Sequence, residues 1–180
     1  ERTALNFISH LSGIATKTSL FVHKANGKVK ILDTRKTIPG LRYLQKYAVL
    51  CGGGTNHRIG LFDMVLIKDN HIDAAGSITE AVNLVRKKWG SRYKIEVETR
   101  NLEEVKEALR LNVDRIMLDN MDIETIKEAI KIINKKSETE VSGNMTIDKI
   151  EEMAEAGVDF ISFGELTHTI KVFDFSLKKE

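Results

Sequence analysis

The chain has 180 residues, 42% of them apolar, with 12 Gly, a single Pro and a single Cys. A chain of this length buries roughly 70% of the surface it exposes when unfolded, and this composition excludes a disordered or collagen-like polymer. With 28 Lys plus Arg against 26 Asp plus Glu the net charge is only +2, too small to imply a nucleic-acid or membrane-surface partner, so any anion site must come from local clustering.

Residues 1–24 place Leu5, Ile8, Leu11, Ala15 and Phe21 near one helical face, which predicts a helix from the first residue onward. No capping residue and no initiator Met precede Glu1, so an upstream segment is expected. No run approaches the roughly 18 apolar residues of a membrane span, and no secretory signal pattern opens the chain. Cys51 has no internal disulfide partner, and a cytoplasmic protein is expected.

From Val29 onward, short β-branched runs predict strands at 29–33, 64–68, 94–98, 115–119, 138–142 and 160–163. Helices are predicted at 102–111, 123–135 and 147–156, with Asn101, Asp122 and Thr146 as N-caps. This repeat of strand and helix is the pattern of a parallel sheet with crossover helices. Periodicity does not separate an open doubly wound sheet from a barrel. Residue types at the strand ends do, because in a barrel the loops after all strands converge on one mouth. Asp33 to Lys36, Lys68 to Asn70, Glu98, Asp119, Ser142-Gly143 and Gly164-Glu165 all follow strands, so an α/β class, parallel β/α barrel of TIM-like type, closed or partly open, with a leading helical segment is expected.

The one marked charge asymmetry is the set Lys30, Arg35, Lys36, Arg42, Lys46, Arg58 and Lys68, with Asp33, Asp63 and Asp69 as its acids. Charge runs usually face water, but Arg35, Lys36 and Lys68 stand at strand ends and His57-Arg58 follows the glycine triplet 52–54. Arg presents a fork suited to carboxylates and Lys a point charge suited to phosphate, so together they suit a ligand with several anionic groups. Without a following Lys-Ser or Lys-Thr, the glycine triplet itself reads as a tight turn rather than a nucleotide loop. Glu96 and Glu98 face the same side of one strand, and carboxylates inside a barrel call for cationic partners or a metal. With Asp119 they are oxygen ligands of the kind Mg²⁺ uses, the alternative being salt bridges to Lys94 or Arg115. Ser142-Gly143-Asn144 and Gly164-Glu165-Leu166 stand where barrels commonly bind phosphate. The five histidines show no zinc spacing; His10 and His23 read as packing or surface residues, His57 and His168 as candidate ligand contacts.

Taken as a set, Glu1-Arg2-Thr3, the segments 11–16 (LSGIAT), 33–42 (DTRKTIPGLR), 52–58 (GGGTNHR), 66–71 (LIKDNH), 95–98 (IEVE), 117–120 (MLDN) and 166–168 (LTH) closely resemble the quinolinate phosphoribosyltransferases, the carboxylating nicotinate-nucleotide pyrophosphorylases. The resemblance covers essentially the whole chain. It implies that residues 1–180 form the catalytic α/β barrel, and that the family's preceding α/β sandwich domain is absent here. It further implies conversion of quinolinate and 5-phosphoribosyl 1-pyrophosphate, with Mg²⁺, to nicotinate mononucleotide, pyrophosphate and CO2. Carried over residue by residue, Arg35, Arg58, Lys68 and His57 hold the quinolinate carboxylates, while Arg2 reaches into the neighbouring subunit's site of a homodimer. Lys36, Glu98 and Asp119 handle the phosphoribosyl donor, the two acids also the Mg²⁺, directly or through water, and Thr34 is a further substrate-binding residue. Ser142, Gly143, Asn144, Gly164 and His168 bind the donor's 5-phosphate, with Glu165 and Leu166 as further substrate-binding residues. Lys36, Lys68, Glu98 and Asp119 form the implied catalytic set. Many relatives have Ser-Gly-Gly where this chain has Ser142-Gly143-Asn144, and Asn tolerates positive φ. A paralogue associated with molybdate transport, a nicotinate-specific phosphoribosyltransferase and a non-catalytic phosphate-binding barrel remain the alternatives.

Overall fold

The structure is a computed structural model and describes residues 1–178. Its elements in chain order are α1 (Arg2–Ala25), β1 (Lys30–Leu32), α2 (Arg42–Cys51), β2 (Val65–Ile67), α3 (Asp69–Ala75), α4 (Ile78–Trp89), β3 (Ile95–Thr99), α5 (Leu102–Arg110), β4 (Arg115–Asp119), α6 (Ile123–Ile133), β5 (Glu138–Ser142), α7 (Ile150–Ala156), β6 (Phe160–Ser162) and α8 (Glu165–His168). The six strands form one parallel sheet in the order β1-β6-β5-β4-β3-β2. Consecutive strands β1 and β2 therefore lie at its two ends. Residues on or just after all six strands border one cavity, which a flat sheet could not achieve, so the sheet is curled into the expected α/β barrel. The seam between β1 and β2 is spanned by the segment 55–58: Thr55 bridges to Leu32, and the Arg58 guanidinium donates to the Met64 carbonyl at 3.2 Å.

Strand alternation divides the residues between two environments. One phase, including Ile31, Ile67, Val97, Ile116, Leu118, Val141 and Ile161, packs with the helices into a buried apolar core. The other phase, including Glu96, Glu98, Arg115, Met117, Asp119, Glu140 and Ser142, faces inward and is largely polar. The barrel thus keeps its apolar core in the layer between strands and helices.

Two strands, β4 and β5, have the expected bounds. The helices differ in informative ways. The side chains of Asn101 and Asp122 cap α5 and α6 by accepting from the N–H groups of Glu104 and Thr125. Thr146 makes no such bond: residues 147–149 form a 3₁₀ turn, and α7 starts only at Ile150. Helix α6 stops two residues early because Asn134 adopts φ +46°. Helices α2, α3 and α4 were not among the predicted elements, although Ser77 caps α4 in a Ser-x-x-Glu pattern that was readable in advance. The glycine triplet is indeed a tight turn, ending α2 and lying against Thr18 of α1.

Candidate active site

At the C-terminal ends of the strands lies a cavity of about 760 Å³ bordered by Thr34, Arg35, Lys36, His57, Arg58, Lys68, Glu98, Asp119, Ser142, Gly143, Asn144, Gly164, Glu165 and His168. Fourteen of the sixteen residues nominated from sequence thus meet in one place. The exceptions are Leu166, whose side chain is fully buried in the core, and Arg2, which is exposed on the first turn of α1 and does not border the cavity of its own chain.

Of the seven clustered bases, four border the cavity and three do not. Lys30 lies over the Phe160 ring, Arg42 donates to Thr37 and to the Ile59 carbonyl, and Lys46 is buried. Asp33 also turns away from the cavity: it is fully buried and accepts from Lys46 Nζ at 2.5 Å, Asn56 Nδ2 at 2.5 Å and the His57 N–H at 2.8 Å. Burial pushes Asp33 up and Lys46 down, against their mutual attraction.

The cationic side of the cavity carries Arg35, Lys36, Arg58 and Lys68. Burial and the nearby Arg35 guanidinium both push Arg58 down, as expected for like charges gathered where an anion is to sit. Thr34 Oγ1 accepts from the Lys36 N–H at 3.1 Å, and the Lys36 carbonyl accepts from Thr167 Oγ1 at 2.7 Å, fixing this loop after β1. On the acidic side Glu98 pairs with Lys68 at 3.2 Å rather than with Lys94 or Arg115. Asp119 accepts from Asn120 Nδ2 at 2.6 Å, and Asn120 Oδ1 accepts from Asn144 Nδ2 at 3.1 Å. Glu98 and Asp119 end neighbouring strands as hard oxygen donors facing the same cavity, a donor set that fits Mg²⁺ together with phosphate oxygens.

The loop after β5 has the backbone anticipated for it. Gly143 has φ +84° and Asn144 φ +49°, and a side chain on Gly143 would press on the Asn120 carboxamide. Gly164 instead has an ordinary helical φ of −63°; there a Cβ would stand 2.9 Å from Lys36 Cδ, so glycine keeps the lysine stem close to the loop after β6. Glu165 is held by Lys17 at 2.6 Å and His168 by Thr169 at 2.7 Å.

Of the cluster beneath the cavity, sequence reasoning named Glu96, with cationic partners or a metal expected for it, and His57, and missed Glu140. His57 Nε2 lies 3.1 Å from Glu96 Oε2 and 3.4 Å from Glu140 Oε2, while Arg115 donates to Glu140 at 3.0 Å. Burial raises both Glu96 and Glu140 to about 7, and burial lowers His57. Glu140 was findable: it is two residues before Ser142, hence on the same face of its strand. Leu66, Met117, Asn120, Met145, Ser162 and Phe163 complete the lining.

The sequence model for "Quinolinate phosphoribosyl transferase, C-terminal domain" matches residues 14–178. The chain is 50% identical to the chloroplastic nicotinate-nucleotide pyrophosphorylase [carboxylating] of Arabidopsis thaliana, covering 99% of this chain and 56% of that protein. It is 51% identical to the probable nicotinate-nucleotide pyrophosphorylase [carboxylating] of Synechocystis, over 90% of this chain and 56% of the relative. Among solved structures, NadC from Streptococcus pyogenes superposes with a TM-score of 0.96 at 45% identity, covering 99% of this chain and 63% of that one. The nicotinate-nucleotide pyrophosphorylase of Francisella tularensis gives 0.93 at 52%, covering 97% and 62%. The chain spans a little over half the length of these curated relatives.

Proposed function

The chain belongs to the quinolinate phosphoribosyl transferase family, and from that membership we propose that its cavity transfers phosphoribosyl from 5-phosphoribosyl 1-pyrophosphate to quinolinate with loss of CO2, giving nicotinate mononucleotide and pyrophosphate. The observation that carries this reading is the convergence of Arg35, Lys36, Arg58 and Lys68 opposite Glu98 and Asp119 in one cavity. A diacid and a polyphosphate, bound side by side, require such a cationic wall, and a merely phosphate-binding barrel has no use for the two carboxylates.

In this reading Arg35, Arg58 and Lys68 neutralise the two carboxylates of quinolinate and aim its ring nitrogen at the anomeric carbon. Lys36 faces the departing pyrophosphate. Mg²⁺ held by Glu98 and Asp119 supplies further charge neutralisation to the leaving group when bound. The same two carboxylates tolerate the positive charge that develops on the ribose ring. The main chain at 142–144 and 164 cradles the 5-phosphate. The nitrogen lone pair forms the new bond to the sugar as the bond to pyrophosphate breaks. The ring carbon beside the quaternised nitrogen then releases CO2, keeps the electron pair of the broken bond, and takes up a proton. The protein contributes position and charge.

A homodimer completes the site in this proposal, with Arg2 of one copy serving the cavity of the other. The exposed Tyr43, Tyr47 and Leu50, spaced along one face of α2, support a surface that another chain covers. No helix among the described residues is long and apolar enough to cross a membrane. We place the reaction in a reducing compartment, the cytoplasm, consistent with the lone Cys51.

Calorimetry on the complete polypeptide tests the assignment. The Arg58→Ala variant is expected to lose about 2–5 kcal/mol of quinolinate binding, because a desolvated carboxylate is left unpaired, with donor affinity nearly unchanged. Nicotinate, with one carboxylate, is expected to bind far more weakly than quinolinate. Equal losses for both ligands, or equal binding of the mono- and diacid, contradict the assignment.

A further inference from the structure

The loop that carries Arg35 and Lys36, residues 33–41, contains neither helix nor strand, and both side chains are exposed. Two bonds tie the main chain beside the lysine to the body of the protein. The Lys36 carbonyl accepts from Thr167 Oγ1 at 2.7 Å, and the Ile38 N–H donates to Gln45 Oε1 at 2.8 Å. Both lead to one side chain, because Gln45 Nε2 donates to the Thr167 carbonyl at 3.3 Å. Gln45 is fully buried, and the same Nε2 lies 2.8 Å from Nε2 of His10 on α1. Turning the carboxamide over would set its oxygen against a carbonyl and its nitrogen against an N–H, so the main chain fixes its orientation. His10 Nε2 therefore accepts, and the imidazole proton is on Nδ1. Gln45 and Thr167 keep no unpaired buried polar atom.

We infer that Gln45 is a positioning residue for Lys36: its carboxamide, seated on His10, holds the Ile38 N–H directly and the Lys36 carbonyl through Thr167, and so aims the lysine into the cavity. The inference rests on the reading of Lys36 as the residue that faces the departing pyrophosphate. Gln45 itself does not border the cavity. A lysine is a point charge on a long flexible stem, so its ammonium is placed only as well as the base of that stem is held. The stem is confined further along as well, where it passes Gly164 so closely that a Cβ there would stand 2.9 Å from Lys36 Cδ. The carboxamide thus joins α1, the loop after β1 and α8 at one buried point. A buried polar network in which every member is paired specifies one arrangement of the chains that meet there.

Gln45→Met in the complete polypeptide keeps the length of the side chain and removes all three bonds. It is expected to lower kcat about 10- to 100-fold and to leave the KM for quinolinate within about threefold. In a Lys36→Ala background the same substitution is expected to change the residual turnover by no more than about twofold, because there is no ammonium left to misplace. Turnover kept within about twofold in Gln45→Met, or a loss of equal factor in both backgrounds, as general damage to the fold would give, overturns the inference. Affinity for inorganic pyrophosphate with Mg²⁺, read by calorimetry, is expected to follow the same pattern: weakened about 10-fold by Gln45→Met, and by no more than about twofold once Lys36 is Ala. Magnetic resonance of isotope-labelled histidine nitrogens reads the seat of the carboxamide on the unaltered protein, with His10 assigned from the spectrum of His10→Gln. The ring proton of His10 is expected on Nδ1 near neutral pH, and a proton on Nε2 overturns the inference. Absence of turnover in the unaltered protein contradicts the proposed function, and the pyrophosphate affinities with the His10 proton then still decide whether Gln45 places Lys36.

Discussion

Glu140 shows how much a single buried carboxyl can shape the site's stability. In the unfolded chain it titrates near its ordinary 4.5, and in the folded protein near 7, because burial and the neighbouring Glu96 both oppose its charge. Between these values the folded state holds a proton that the unfolded state has lost, so stability falls as pH rises from about 4.5 through 7. His57, lowered by burial, acts in the opposite sense below its ordinary 6.5, which is why a comparison with a variant is needed. Glu140→Gln removes one ionisable member of the pair and leaves Glu96 to the charge of Arg115. Relative to the unaltered protein it is expected to gain on the order of 2–3 kcal/mol between pH 5 and pH 8, read by urea unfolding at each pH. An unchanged difference at the two pH values contradicts the assignment of a proton to this pair. At the same scale, Arg35, Lys36, Arg58, Lys68, Glu98 and Asp119 were legible in the sequence because strand ends and charge type mark them. Asp33 and Lys46 were not, since a strand-end acid and a clustered lysine look the same whether they face a ligand or each other.

Among the elements, α2 was not predicted from the sequence, yet its Lys46 holds the loop that carries His57 and Arg58. It has no side-chain cap, begins after Pro39-Gly40, and ends on the glycine turn. What anchors it is polar: Gln45 donates to the Thr167 carbonyl and accepts from the Ile38 N–H, and Lys46 donates to Asp33 and to the His57 carbonyl. Such tertiary bonds leave no trace in the sequence, although the spacing of Tyr43, Tyr47 and Leu50 along one face was a readable helical pattern. Strands β4 and β5 could be read from pattern: the apolar run Ile116-Met117-Leu118 is bounded by Arg115 and Asp119, and β-branched Thr139 and Val141 alternate with Glu138, Glu140 and Ser142. Lys46→Met strands Asp33 as a buried carboxylate without its cation, and a loss of about 3–5 kcal/mol in unfolding free energy is expected by denaturant titration. A loss below 1 kcal/mol contradicts the role given to this pair.

At the level of the whole molecule, barrel closure brings loops distant in sequence to one mouth, and that convergence was foreseeable from the residue types that follow each strand. The place of Arg2 in a neighbouring chain's cavity was implied by the family resemblance alone, and the exposed face of α2 was not foreseen. If each cavity borrows Arg2 from its neighbour, two inactive variants, Arg2→Ala and Arg58→Ala, should complement when mixed and reassociated. Hybrid dimers then hold one intact site, and roughly a quarter of the unaltered activity is expected from random pairing. No recovery in verified hybrids contradicts the shared site. The most direct measurement of all follows CO2 released from carboxyl-labelled quinolinate by the complete polypeptide, with and without 5-phosphoribosyl 1-pyrophosphate and Mg²⁺. Release that requires both, with nicotinate mononucleotide formed in equal amount, is the predicted result; quinolinate that binds yet yields no CO2 and no nucleotide under those conditions would contradict the account.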